Sequence, residues 1–293
     1  MTTANEQGTT PSGGLEGMAV LVTGGGTGIG RACALRLAVD GAAVTVSGRT
    51  GASLAESVSI ITAAANSSGH GGSVRLVTGD VTNEDDVVRM VSAAAEPTGA
   101  LNGCVANAGG SRGLGPYHLL DTAQFIETLH LNVVGTMLCL KHTVPKIVAA
   151  GGGSFVGMSS IAGYVTHPYF SAYTVSKAGI EQMMRNAADE YGPVGVRCNA
   201  IRPGFIATEI MEGIPRDSPT YQSYIDNTPM GATGEPSDVA ALARFLIGAD
   251  SRWITGTAIA VDGGNGLRRG PDYGPFLEPY LGRDNMLAKP PTA

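Results

Sequence analysis

The chain has 293 residues, 43 % hydrophobic and 15 % charged, with a net charge of −6. That length and apolar content suffice for one large domain with a well-buried core. They exclude a disordered or collagen-like chain, and the absence of a basic block argues against nucleic acid as the main partner. Residues 1–14 are polar, rich in Thr and Gly, and lack the charged and apolar regions of a signal peptide; they read as a mobile extension of a cytoplasmic protein. Short apolar runs then alternate with helical patterns. Strands are expected at 18–23, 43–47, 74–78, 101–106, 153–158, 195–201 and 257–261, and helices near 28–40, 51–65, 83–95, 122–150, 171–191 and 236–248. Strands rich in Val, Ile and Leu without alternation suit a parallel sheet covered on both faces. The fold expected is therefore α/β: a doubly wound parallel sheet of about seven strands with helices on both sides. No apolar run reaches the ~18 residues of a membrane span. Cys33, Cys104, Cys139 and Cys198 are far apart, form no CxxC pair and read as buried free thiols. His130, His142 and His167 lack paired metal-ligand spacing, and no metal site is assigned.

Two segments break the rhythm. Residues 207–230 have four prolines or glycines and little clear period, and read as a long loop serving as a substrate lid. The tail, 266–293, is rich in Pro and Gly yet keeps Tyr273, Phe276, Leu277, Tyr280 and Leu281. Such a tail is expected to pack on the body or on a neighbouring subunit. One domain, 15–265, lies between the two termini.

The first strand runs into Thr23-Gly24-Gly25-Gly26-Thr27-Gly28-Ile29-Gly30 and then a helix. Strand, glycine turn and helix present a helix N-terminus to a pyrophosphate, the arrangement of a Rossmann-type dinucleotide site. The pattern is TGxxxGxG and not GxGxxG. At the end of the second strand, where an acid would select NAD, stand Gly48, Arg49 and Thr50. The Arg49 guanidinium matches a 2′-phosphate, which favours NADP and leaves NAD possible. Tyr173 and Lys177 are spaced i, i+4, so on a helix they share one face. A nearby ammonium lowers a phenol's pKa, and a phenol so tuned can exchange a proton with an alcohol or ketone.

TGxxxGxG, Asn107-Ala108-Gly109 after the fourth strand, Ser160 thirteen residues before Tyr173, YxxxK and Pro203-Gly204 occur together in one order. In this the chain resembles the short-chain dehydrogenase/reductase family, in its compact single-domain branch, from about Gly17 to Gly264. The resemblance implies Tyr173 as general acid/base and Lys177 as the group that depresses its pKa and holds the nicotinamide ribose. Ser160 would bind the substrate oxygen, and Asn132 would complete a proton relay through water. It also implies cofactor contacts from Thr23, Gly24, Gly26, Thr27, Gly28, Ile29 and Gly30, from Asp80 and Val81 at the adenine, and from Asn107, Ala108 and Gly109. Pro203, Gly204, Ile206 along the nicotinamide, and Thr208 at the carboxamide or pyrophosphate complete that set. Ala106 stands where the family commonly has Asn, and Thr27 where many NADP-using members have a basic residue, so the NADP preference rests on Arg49. The reaction implied is hydride transfer between NAD(P) and a secondary alcohol or ketone. The lid residues Met211, Ile214, Tyr221 and Tyr224 favour an apolar or ring-shaped substrate. Reduction of a 3-oxoacyl thioester is an alternative, with only Arg202 and Arg216 as basic residues near the lid; a non-catalytic cofactor-binding sensor is another. The family's habits imply a homotetramer built on 122–150 and 171–191.

Overall fold

The computed structural model describes residues 14–267 and 272–289. The expected extension, residues 1–13, and residues 268–271 and 290–293 of the tail lie outside the described residues. Seven strands form one parallel sheet: β1 (Ala19–Thr23), β2 (Ala43–Gly48), β3 (Ser73–Thr78), β4 (Gly103–Ala106), β5 (Gly153–Met158), β6 (Val196–Pro203) and β7 (Ala258–Val261). Their order is β3-β2-β1-β4-β5-β6-β7. The helices are α1 (Gly28–Val39), α2 (Gly51–Ser68), α3 (Glu84–Ala95), α4 (Thr122–Leu129), α5 (Gly135–Ala149), α6 (Ser171–Tyr191), α7 (Pro219–Asn227), α8 (Pro236–Ile247), α9 (Gly274–Leu281) and α10 (Arg283–Met286). The order reverses between β1 and β4, both of which pair in parallel with each other and with their outer neighbours. A crevice opens at the carboxyl ends of strands where winding reverses, and that is where such sheets bind ligands.

Both faces of the central strands are buried, which explains their lack of alternation; the edge strands β3 and β7 are more open. On one face Val20, Val22, Val44 and Val46 pack with Leu37 of α1, Leu54 of α2 and Leu246 of α8. On the other, Leu21, Cys104 and Phe155 pack with Val91 of α3, Ile147 of α5 and Met184 of α6. All four cysteines are buried and free. Burial pushes the thiols of Cys33, Cys139 and Cys198 up to about 12, so they are inert apolar filler.

The helix expected over 122–150 is three pieces in one rod: α4, a π-helical turn at His130–Val134, and α5. Residues 122–149 are long and apolar enough to cross a membrane by length and composition, but α5 also lays Leu138, Cys139 and Ile147 into the core. The 207–230 segment is not a structureless loop. It holds a 3₁₀ turn at Glu209–Gly213 and α7, started by Ser218, whose hydroxyl accepts from Tyr221 N, and by Pro219 in the first turn. A nine-residue helix is too short to show a clear hydrophobic period, which is why the pattern alone missed it.

Candidate active site

The turn after β1 is built by close backbone approach. Gly24 has φ +67°, open to glycine at little cost. A Cβ on Gly30 would sit 2.1 Å from the carbonyl oxygen of Gly24, so only glycine lets α1 begin so near the strand. Asn107 fastens this turn to the end of β4: its Nδ2 donates to Thr23 O at 3.1 Å and to Gly24 O at 3.3 Å. The Thr23 hydroxyl in turn accepts from the N–H groups of Asn107 and Ala108, each at 3.1 Å. Thr23 and Asn107 thus lock together the two strands that flank the reversal point. Thr27 is the N-cap of α1, but its side chain makes no capping hydrogen bond, and the first turn has no acid. Among the described residues no side-chain hydrogen bond caps the positive end of this helix.

The carbonyl of Gly26 is held from behind. Arg31 Nη2 donates to it at 2.6 Å and the Ser57 hydroxyl at 2.9 Å. Neither residue stands out in the sequence, because the contact joins the glycine turn to α2 across the fold. Arg49 and Thr50 at the end of β2 are exposed, and Arg49 makes no ion pair among the described residues. Asp80 accepts through Oδ1 from Thr82 N and Oγ1, which orients the carboxylate at the end of β3, while Val81 is buried against Gly135.

The chemistry-bearing side chains come from β5 and α6. Neighbouring serines point opposite ways as the strand ends. The Ser160 hydroxyl accepts from Ala162 N at 3.1 Å and lies close enough to the Tyr173 phenol to favour its ionised form. The Ser159 hydroxyl turns back and donates to Glu181 Oε1 at 2.9 Å. Lys177 lies one helical turn beyond Tyr173, with Nζ 5.3 Å from the centre of its ring, and donates to Met158 O at 2.8 Å. Gly109 closes the other side: a Cβ there would meet Lys177 Nζ at 3.3 Å and Asn132 Oδ1 at 2.7 Å. Asn132, fully buried in the π-helical turn, donates to Gly110 O at 2.9 Å and Ser176 Oγ at 2.8 Å and accepts from Gly110 N at 2.9 Å. Both its amide hydrogens are thereby committed, so its side chain acts here as a clamp on the 109–110 backbone and not as a free donor to water. Irregular π-helical turns of this kind often sit at functional sites.

Burial sets the electrostatics. It pushes the Tyr173 phenol up, and the nearby Ser160 hydroxyl only partly opposes this. Against the expectation that Lys177 lowers this phenol, burial dominates, and the same burial brings the ammonium itself down to about 8. Two cleft residues expected near the cofactor or substrate have other partners. Ile206 is buried in the core on the α1/α8 side, its backbone paired with Gly234. Arg202 is bound at Nε and Nη2 by Glu181, with Nε to Oε1 at 2.6 Å, and stacks on Tyr164 at 4.8 Å. Pro203 ends β6, and Gly204 passes so close to Asp262 that a Cβ would lie 2.7 Å from its Cα. Thr208 and Glu209 lie across Gly28, where a Cβ would meet each at 3.3 Å. A cavity of about 690 Å³ opens there against the 207–230 segment, lined by Gly28, Arg31, Thr208, Glu209, Phe205 and Tyr221 among others; Tyr173 is not on its wall.

Known proteins share this arrangement. A family model described as enoyl-(acyl carrier protein) reductase matches residues 24–265. A cis-4-hydroxycyclohexanecarboxylate dehydrogenase of Sinomonas cyclohexanicum is 36 % identical over 83 % of this chain and 94 % of its own. A short-chain type dehydrogenase/reductase from Mycobacterium ulcerans superposes with a TM-score of 0.90 at 43 % identity, over 94 % of this chain and 98 % of that one. The chain belongs to the short-chain dehydrogenase/reductase family. A 7α-hydroxysteroid dehydrogenase, solved with NADH and 7-oxo glycochenodeoxycholic acid, matches with a TM-score of 0.80 at 28 % identity, over 86 % of this chain and 96 % of that one.

As a short-chain dehydrogenase/reductase the protein is an oxidoreductase using a nicotinamide dinucleotide. Its own residues fit such a cofactor. The N-terminus of α1, the glycine-rich turn with Gly24, Gly25, Gly26, Gly28 and Gly30, and Arg49, which has no ion pair among the described residues, are a positive cradle at the reversal point of the sheet. One group works against it: the carboxylate of Glu209, which rests on Gly28 at the positive helix end.

Proposed function

We propose that the protein interconverts a secondary alcohol and a ketone, with Tyr173 moving the proton. The observation that carries this reading is the convergence of Ser160 and Lys177 on one half-buried phenol, in the cleft between β4 and β5 and next to the dinucleotide cradle. The bound cofactor supplies or accepts the hydride. In the reducing direction Tyr173 gives its proton to the substrate oxygen, and Ser160 holds that oxygen as negative charge develops on it. A phenol raised by burial stays protonated at neutral pH, the state required of a donor. In the oxidising direction Tyr173 must first lose that proton, so oxidation gains rate as pH rises. Lys177, tied to Met158 O, places a positive charge beside the phenolate so formed.

Arg49 favours NADP over NAD, since its guanidinium is exposed, has no ion-pair partner among the described residues and stands where a 2′-phosphate would lie. An apolar, ring-shaped substrate suits the aromatic walls of the lid, and the Sinomonas relative is named for a cyclohexane ring. The acyl-thioester alternative, which accords with the description of the family model, is less well served. Of the two basic residues near the lid, Arg202 is already bound by Glu181. Exposed apolar side chains on the helical rods, Ile126, Met137, Val148 and Val175, support a homotetramer assembled through α4, α5 and α6.

The test is Tyr173→Phe. Turnover of ring ketones with NADPH is expected to fall by about 10²–10⁴, the usual contribution of a placed general acid, while NADPH affinity in a fluorescence titration changes little. Near wild-type turnover in this variant would remove Tyr173 from the reaction.

A further inference from the structure

Three successive residues at the end of β5 hold three residues of α6 that are spaced by four. Met158 O accepts from Lys177 Nζ at 2.8 Å, and the Ser160 hydroxyl lies beside the Tyr173 phenol. Between them the Ser159 hydroxyl donates to Glu181 Oε1 at 2.9 Å and lies 3.1 Å from Lys177 O. Residues at i, i+4 and i+8 share one helix face, so Glu181 continues the row begun by Tyr173 and Lys177. The next strand reaches the same carboxylate. β6 pairs with β5 at Ile201 and Met158, and Arg202, the residue after that pair, closes on Glu181 with Nε on Oε1 at 2.6 Å and Nη2 on Oε2 at 2.5 Å. One side chain thus joins β5, α6 and β6, one helical turn from Lys177.

Glu181 is only 4 % exposed, and burying a charge is costly even when it is paired. Apolar residues of similar volume would fill this place without that cost. What they would lack is direction. A two-pronged guanidinium–carboxylate contact fixes both groups in one plane, and the Glu181 oxygen so fixed is the charged acceptor that takes the single Ser159 proton. Ser160 is in extended backbone, φ −167° and ψ 159°, where neighbouring side chains point to opposite sides. A Ser159 turned onto Glu181 therefore leaves Ser160 turned towards Tyr173. On α6 itself Glu181 is flanked by Lys177 one turn before and Arg185 one turn after, the latter 3.7 Å from Oε2. Arg202 also faces the Tyr164 ring at 4.8 Å and the Asp262 carboxylate.

We propose that Glu181, held by Arg202, is a positioning residue for the reaction: through Ser159 it fixes the end of β5 against α6, and so the direction in which Ser160 and Lys177 meet the Tyr173 phenol. Glu181 does not itself touch the reacting atoms. The assignment rests on the alcohol–ketone reading above and deepens it. The working unit then extends from Ser160, Tyr173 and Lys177 to a buried ion pair on the far side of β5.

The experiment follows cyclohexanone reduction with NADPH or NADH, and cyclohexanol oxidation with NADP or NAD, in the wild type and three variants. Ser159→Ala deletes one hydroxyl. Glu181→Met with Arg202→Met removes both charges together, so that neither is left buried alone. The third variant combines all three changes; circular dichroism and the melting temperature report on folding. Ser159→Ala is expected to lose about tenfold or more in kcat with KM little changed, as misplacement of a reacting group does. Its oxidation rate also rises at higher pH than that of the wild type, because a Ser160 hydroxyl released from its place no longer favours the ionised phenol. Lys177 and the Tyr224 and Tyr273 hydroxyls, which also lie near that phenol, are the same in both proteins. The paired Met variant loses at least as much, and adding Ser159→Ala to it lowers kcat by no more than about twofold further, since the hydroxyl acts through the carboxylate. A wild-type kcat in folded Ser159→Ala, an unmoved pH profile, or losses that multiply in the triple variant would each overturn the positioning role. Should the paired Met variant not fold, Ser159→Ala decides alone. A wild type inactive on both cyclohexanone and cyclohexanol with either cofactor counts instead against the alcohol–ketone reading itself.

Discussion

Replacing Lys177 by Met tests the electrostatic cost on which the catalytic arrangement is built. Lys177 is buried, and its ammonium falls from 10.5 to about 8. That difference is worth about 3 kcal/mol at neutral pH, where both folded and unfolded chains are protonated and the folded one bears the desolvation cost. The sign follows from proton counting. Between the folded and unfolded values the unfolded chain binds the extra proton, so the penalty is relieved and stability rises as pH increases through that window. From about pH 7 to about pH 9.5 the side chain alone adds about 2 kcal/mol to wild-type stability. Met keeps the apolar stem but strips Met158 O of its donor, at a cost of about 1–3 kcal/mol. At neutral pH the two effects nearly cancel, so a single melting temperature decides nothing. The pH dependence does decide. Urea unfolding followed by circular dichroism at both pH values should show the wild type gaining about 2 kcal/mol relative to Lys177→Met. Other titrating groups are common to both proteins and drop out of the difference. Parallel profiles would mean that the ammonium is hydrated in the folded protein, and the argument from its burial would fail.

Two further substitutions address the cofactor cradle. Arg49→Asp should weaken NADP about tenfold or more and improve NAD relative to it, since a charge-assisted contact is lost and a like charge added; unchanged affinities for both in a calorimetric titration would refute the role of Arg49. Glu209→Gln should tighten either dinucleotide by about two- to fivefold at low salt and by less at high salt, because it removes an exposed like charge from Gly28 at the α1 N-terminus. A salt-independent effect, or none, would show that the carboxylate swings clear when the cofactor binds.

Much of this protein is determined locally, and the chain order of residues was enough to read it. Apolar runs at 18–23 and 153–158 became β1 and β5 because burial on both faces leaves no alternation to confuse. The glycine turn was legible because backbone approach at Gly24 and Gly30 admits no other residue, and the i, i+4 spacing put Tyr173 and Lys177 on one face of α6. Only the tertiary structure decided what depends on partners distant in sequence. Ser159 and Ser160 are chemically identical neighbours; the thirteen-residue spacing to Tyr173 already pointed to Ser160, and the fold supplies the reason, turning Ser159 to Glu181 and leaving Ser160 beside Tyr173. Arg202 looked available to a substrate until Glu181 closed on it. The ammonium of Lys177 was expected to lower Tyr173, a pairwise argument, but burial by the whole fold raises the phenol and lowers the ammonium together. The Tyr224–Tyr273 pair joins the lid to the tail across 49 residues, and no spacing rule connects them. Local periodicity reports on which faces are covered; desolvation and convergence are properties of everything that does the covering.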